Sequence, residues 1–119
     1  MPSLRRPHRE GGIVKGIGNL GGLMKQAKKL QEDLERAQVE IGDLRIAATA
    51  GGGMVTAIVT GKGDLVSLAL EREVVDPADV EMLCDLVVAA VQEAQRKAQQ
   101  AAQEKLGPLA QGLGGLPGV

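Results

Sequence analysis

The chain has no phenylalanine, tyrosine or tryptophan among its 119 residues. Without a ring it cannot stack on an unpaired base, enclose a quaternary ammonium group or anchor at a membrane interface. It has one cysteine, Cys84, so no internal disulfide can form. Its one histidine, His8, lies in the N-terminal stretch, and its two serines are Ser3 and Ser67. These residues give no Ser-His or Cys-His pair for nucleophilic catalysis, and one histidine with one cysteine falls short of a zinc ligand set. No enzyme activity, metal, cofactor or small-molecule substrate is expected. No apolar run reaches the ~18 residues that span a bilayer. The N-terminus MPSLRRPHREGG leads into the glycine-broken GIVKGIGNLGG, not into the apolar stretch of a signal peptide. A soluble, reduced, cytoplasmic protein with no membrane partner is expected.

The missing rings also limit the core. Aromatic side chains bury the most area per residue, so Ala, Val, Leu, Ile and Met must offset the ordering entropy of a small domain alone. A chain of 119 residues allows one domain. A partner chain is therefore expected.

An excess of either charge is lacking overall, with a formal net charge of -1, but the charges are unevenly placed. Residues 1 to 29 hold Arg5, Arg6, Arg9, Lys15, Lys25, Lys28 and Lys29 against Glu10, a net +6. The remaining residues hold seven cations and fourteen acids, a net -7. The basic field at one end is invisible in the total.

Glycine and proline divide the chain. Six of the 17 glycines lie in residues 1 to 22 and five in residues 107 to 119, with Pro2, Pro7, Pro108 and Pro117 in the same stretches. Flexible tails are expected at residues 1–16 and 107–119, around a body at residues 17–106. Within the body, Leu20, Leu23, Ala27, Leu30, Leu34, Ala37, Ile41 and Leu44 recur at alternating spacings of three and four. This predicts an amphipathic helix at about residues 20–42, capped by Asn19 and ended near Gly42. The period then changes to short β-branched runs at 44–50, 54–60 and 65–71, separated by Gly51-Gly52-Gly53 and Gly61-Lys62-Gly63-Asp64. Three antiparallel strands in a meander are predicted. Asp76-Pro77-Ala78-Asp79 then reads as a helix start, with Asp76 as cap and Pro77 in the first helical position. The seam Val80, Cys84, Val87, Val91, Ala94, Ala98 and Ala101 carries that helix to about Leu106, stopped by Gly107-Pro108. Cys84 is expected to be buried in this seam.

The fold class is thus α+β: an α-β-β-β-α protomer with a three-stranded antiparallel meander and two long amphipathic helices. Apolar residues on both faces of the second and third strands argue that the protomer is homodimeric.

Two glycine motifs carry no phosphate-loop reading. Gly16-Ile17-Gly18-Asn19-Leu20-Gly21 fits GxGxxG, but no strand precedes it as a dinucleotide fold requires. Gly61-Lys62-Gly63 is a turn, because Thr56 stands where a Walker motif needs glycine.

The lysines are more informative. Lys25, Lys28 and Lys29 lie opposite the first helix's apolar seam, with Lys15 just upstream, and Arg96, Lys97 and Lys105 repeat the theme on the second helix. One reading is a solvated face whose lysines pair with Glu32 and Asp33. The other is a polyanion contact made through phosphates, which is sequence-tolerant and salt-sensitive.

The segments GIGNLGGLMKQAKKLQEDL, GGGMVTAIVTGKGDLVSLAL, Val75-Asp76-Pro77 and DVEMLCDLVVAAVQEAQRKAQQAAQEKL together resemble the YbaB/EbfC family of bacterial nucleoid-associated proteins. The resemblance covers about residues 16 to 106. It implies a homodimer whose helices project as arms from a central sheet and bind double-stranded DNA without strict sequence requirement. A nucleoid-associated role supporting chromosome organisation or recombinational repair is implied too. The family attributes DNA contact to the arms, which here carry Lys25, Lys28, Lys29, Arg96 and Lys97. Arg5, Arg6 and Arg9, in an extra basic extension, add candidate contacts. Gln92 stands where the family commonly has asparagine. The competing reading is a coiled-coil-like protein-interaction module, suggested by the regular seams and by the fourteen acids after residue 29, which would repel DNA.

Overall fold

A computed structural model describes the backbone of residues 6–113 and the side chains of residues 19–110. The order is α1 (Arg6–Asp43), β1 (Ile46–Ala50), β2 (Val55–Val59), β3 (Leu65–Leu70), a short 3-10 turn (Arg72–Val74) and α2 (Val80–Leu113). The strands form one antiparallel meander in the order β1-β2-β3. Compact units divide between Leu34 and Glu35, so α1 contributes to both.

Helix α1 begins at Arg6, not near residue 20. Pro7 lies in the first turn, where its missing amide hydrogen would find no intrahelical partner in any case. The glycines that follow each cost about 1 kcal/mol relative to alanine, yet none blocks the i→i−4 ladder. Asn19 is therefore an interior residue, and the GxGxxG segment is helical. The other end, at Asp43, falls beside the expected terminator Gly42.

The end of α1 is locked to the β2–β3 hairpin. The Ile41 carbonyl accepts hydrogen bonds from the amides of Gly61 (3.0 Å) and Leu44 (3.2 Å). Ala37 and Ile41 are buried here. A Cβ on Gly61 would run into the Ile41 carbonyl oxygen and lie 2.7 Å from Ile41 Cγ2, so only glycine lets the two backbones meet. The turn is closed by Thr60 N–H to Asp64 O at 2.8 Å and Gly63 N–H to Thr60 O at 2.9 Å. It is a turn and not a phosphate loop. The β1–β2 connection is built from Gly51, Gly52 and Gly53, all at positive φ.

The register pairs Ile46, Ala48 and Ala50 with Val59, Ala57 and Val55 on one face. Helix α2 packs on that face through Ala90, Ala94 and Ala98, which are fully buried with Val55, Ala57, Val59 and Val74. Alanine at every helical turn lets the helix lie close to the sheet. The largest fully buried side chains are three valines, so this is a core of small residues.

Four expectations are corrected. Cys84 is exposed, and the buried line of α2 runs instead through Leu83, Leu86, Ala90, Ala94 and Ala98. The first turns of α2 carry apolar residues over a wide arc, broken by Glu81 and Asp85, so spacing does not select a side within that arc; contact does, with Leu86 meeting the Gly51 turn. The helix cap is Asp79, whose Oδ1 accepts from the Met82 amide at 3.1 Å. Asp76 instead accepts from the Ala78 amide at 2.9 Å, which organises the preceding turn. Helix α2 also continues through Gly107-Pro108 to Leu113. Gly107 is not in the left-handed conformation that stops a helix, and Pro108 removes only one ladder bond.

The fourth correction concerns the sheet. The face opposite α2 carries Ala47, Thr49, Thr56, Ile58, Ser67 and Ala69, which is not strongly apolar. The unmet apolar load lies at edge strand β3. Leu68 and Leu70 pair with Ala57 and Val55 and so share the core face. Yet α2 packs on β1 and β2, leaving Leu68 and Leu70 38% and 40% exposed.

Candidate nucleic-acid interface

The seam of α1 predicts which side its lysines occupy, and the residues from Lys25 to Lys29 are all exposed. The described ion pairs are Arg96–Glu93 and Lys105–Glu40, and Asp33 and Arg36 are engaged as well. Lys25, Lys28 and Lys29 take no part in the two described pairs. Three cations within about 6 Å of helix rise, in the middle of α1, form a field that an anion would relieve. The seam side of the same segment, Leu20, Leu23 and Met24, is exposed too.

The cations of α2 are placed differently. Arg96 grips Glu93 with two bonds, Nη2 to Oε1 at 2.6 Å and Nε to Oε2 at 3.0 Å. This forked hydrogen bond lowers the Glu93 pKa from the ordinary value of 4.5 and raises that of Arg96. Lys97 Nζ donates to the Ala47 carbonyl at 3.4 Å, and Lys105 Nζ lies 3.5 Å from Glu40 Oε2. Each of these charges already has an intramolecular partner.

Of the remaining sequence-predicted residues, Arg6, Arg9 and Lys15 lie on α1 with side chains outside the described residues, and Arg5 lies outside them altogether. Sequence reasoning passed over Lys62, at the tip of the β2–β3 turn, and a set of glutamines on α2. An open groove of about 380 Å³ is lined by Gly61, Lys62, Gly63, Gln95, Gln99 and Ala102. A second, of about 500 Å³, is lined by Arg96, Gln99, Gln100 and Gln103. The signal for the glutamines was their helical spacing against the alanine stripe. Among the described residues, no helix is long and apolar enough to cross a membrane.

Residues 16–113 match the sequence profile of the YbaB/EbfC DNA-binding family. A nucleoid-associated protein of Acetivibrio thermocellus is 46% identical over 110 residues, covering 92% of this chain and 97% of the relative. A nucleoid-associated protein of Streptomyces griseus is 53% identical over 104 residues, covering 87% and 91%. The crystal structure of an uncharacterized protein from Helicobacter pylori superposes with a TM-score of 0.55 at 18% identity, covering 66% of this chain and 92% of that one. This last likeness is one of fold.

Proposed function

The chain belongs to the YbaB/EbfC DNA-binding family, and from that membership we propose that it is a nucleoid-associated protein of the cytoplasm that holds duplex DNA by its phosphates, largely without regard to sequence. The observation that carries this reading is the exposed trio Lys25, Lys28 and Lys29 on α1, outside the described ion pairs on a chain that is otherwise acidic. Lys15, Arg5, Arg6 and Arg9 extend the cationic run toward the N-terminus and add contacts of the same kind. Arg96 and Lys97 contribute less, because their charge is already engaged. With no aromatic side chain to stack on bases, phosphate attraction supplies most of the affinity.

The working unit is a homodimer. Edge strand β3 presents Leu65, Val66, Leu68 and Leu70 exposed, and a second copy that covers this strand would complete a core whose largest fully buried members are valines. Two basic arms per particle suit bridging or coating of a chromosome, with recombinational repair as one process that such packaging would serve.

A gel-shift titration tests the phosphate reading. Affinity for a duplex of arbitrary sequence should fall steeply with salt, at a log–log slope of about -0.9 per phosphate neutralised. A flat salt dependence refutes it. Light scattering tests the dimer, and a stable particle of 12.3 kDa would refute that part.

A further inference from the structure

We propose that Gln92, Gln99 and Gln103 of α2 form a base-reading row that enters the major groove of duplex DNA, adding a sequence preference to affinity supplied elsewhere by lysines. The inference rests on the duplex-binding reading above and goes beyond it.

The placement comes from helix geometry. Ala90, Ala94 and Ala98 are fully buried against the sheet. At about 100° per residue, Gln92, Arg96, Gln99 and Gln103 lie on the opposite side, at spacings of four, three and four, and all are exposed. Side chains three and four residues apart, projecting from one helix face, are the arrangement with which helices read successive base pairs. A helix about 10–12 Å across fits a groove about 12 Å wide.

The chemistry favours bases over phosphates. A glutamine amide offers a donor and an acceptor side by side, which matches N7 and N6 of adenine, whereas a phosphate oxygen only accepts. The cation within the row, Arg96, is held by Glu93 through both Nε and Nη2, so the row is dominated by its amides. No acid lies in the row itself, and residues 92 to 103 carry Arg96 and Lys97 against Glu93.

The support is rigid and the approach is open. The alanine stripe seats α2 on the strands, and Gln95 Nε2 donates to the Gly63 carbonyl at 3.1 Å, tying the helix to the β2–β3 turn. The two open grooves share Gln99, and Lys62 lines the one beside the turn.

The test compares affinities of the full chain for two A·T-rich duplexes of identical sequence and charge, one containing 7-deazaadenine in place of adenine, which removes the N7 acceptor alone. Wild type should bind the deaza duplex about tenfold more weakly. Replacing Gln92, Gln99 and Gln103 together by alanine should bring the ratio to near one without changing the salt slope. Gln99→Met, which keeps length and loses both hydrogen-bonding groups, should lower the ratio part of the way. Circular dichroism checks that each variant keeps its helix content. Wild type that binds both duplexes equally overturns the proposal, as it would if the row packed on a protein. Wild type that binds neither duplex at low salt overturns the duplex-binding reading and this inference with it.

Discussion

Lys25, Lys28 and Lys29 on α1 and Arg96, Lys97 and Lys105 on α2 are the same chemistry in equal number, and the fold treats them in opposite ways. Each of the α2 cations has a partner: Glu93, the Ala47 carbonyl and Glu40. The α1 trio is exposed, outside those pairs, and gathered within about one turn of the helix, where like charges repel. A cation already engaged within the protein must give up that partner before it can serve a phosphate, so equal charge on two helices does not mean equal affinity for DNA. The apolar residues show a parallel contrast. Leu83, Leu86 and Val87 of α2 pack against the core cluster, while Leu20, Leu23 and Met24 of α1 remain exposed.

The comparison can be broken most directly at the lysines. Replacing Lys25, Lys28 and Lys29 together by glutamate should weaken duplex binding by about a hundredfold or more at low salt, measured by gel shift. Binding that survives would move the interface to Arg5, Arg6, Arg9 and Lys15. Gly61→Ala should cost about 2–4 kcal/mol of stability in denaturant unfolding followed by circular dichroism, because the new methyl meets the Ile41 carbonyl. That loss should leave the α1 lysines able to bind DNA while the protein stays folded, separating the body's stability from the arm's charge.

A smaller effect sharpens the contrast from the other side. Glu93→Gln releases the Arg96 guanidinium and removes one negative charge, so duplex affinity should rise about two- to threefold, whereas Arg96→Ala should lower it by no more than that. The smallest effect concerns pH. Glu93 has a folded-state pKa below the ordinary 4.5, so its pair with Arg96 contributes fully above that value and is lost as pH falls through the lowered one. Because the pair is exposed, the Glu93→Gln variant should differ only slightly in the acid limb of its unfolding curve.

Much of the fold could be read from residue spacing. The seam from Leu20 to Leu44 predicts a helix, the glycine-separated β-branched runs predict the meander, and both elements are present. Helix ends were less legible. Asp76 and Asp79 are equally good caps in isolation, and only the turn between them decides that Asp79 meets the Met82 amide. Pro108 is a strong stop by rule and yet lies inside α2. The buried side of α2 is hidden because Val80, Leu83, Cys84, Leu86, Val87 and Val88 span more than half of the helix circumference. The α1 lysines are visible from their position opposite the seam, and Glu93 stands three residues before Arg96, but the engagement of Lys97 is not legible, because its partner comes from β1.

Sequence alone determined the order of elements, the two glycine turns and the uneven charge, since each follows from local spacing and backbone preference. The absence of aromatic residues determined that the core would be small and that base stacking would play no part. Only the tertiary structure decided which face of α2 is buried, why Gly61 must be glycine, that Lys97 and Lys105 are already engaged, and that β3 keeps its leucines uncovered. Those outcomes depend on contacts between residues far apart in the chain, where packing geometry chooses among faces that local preference leaves equal.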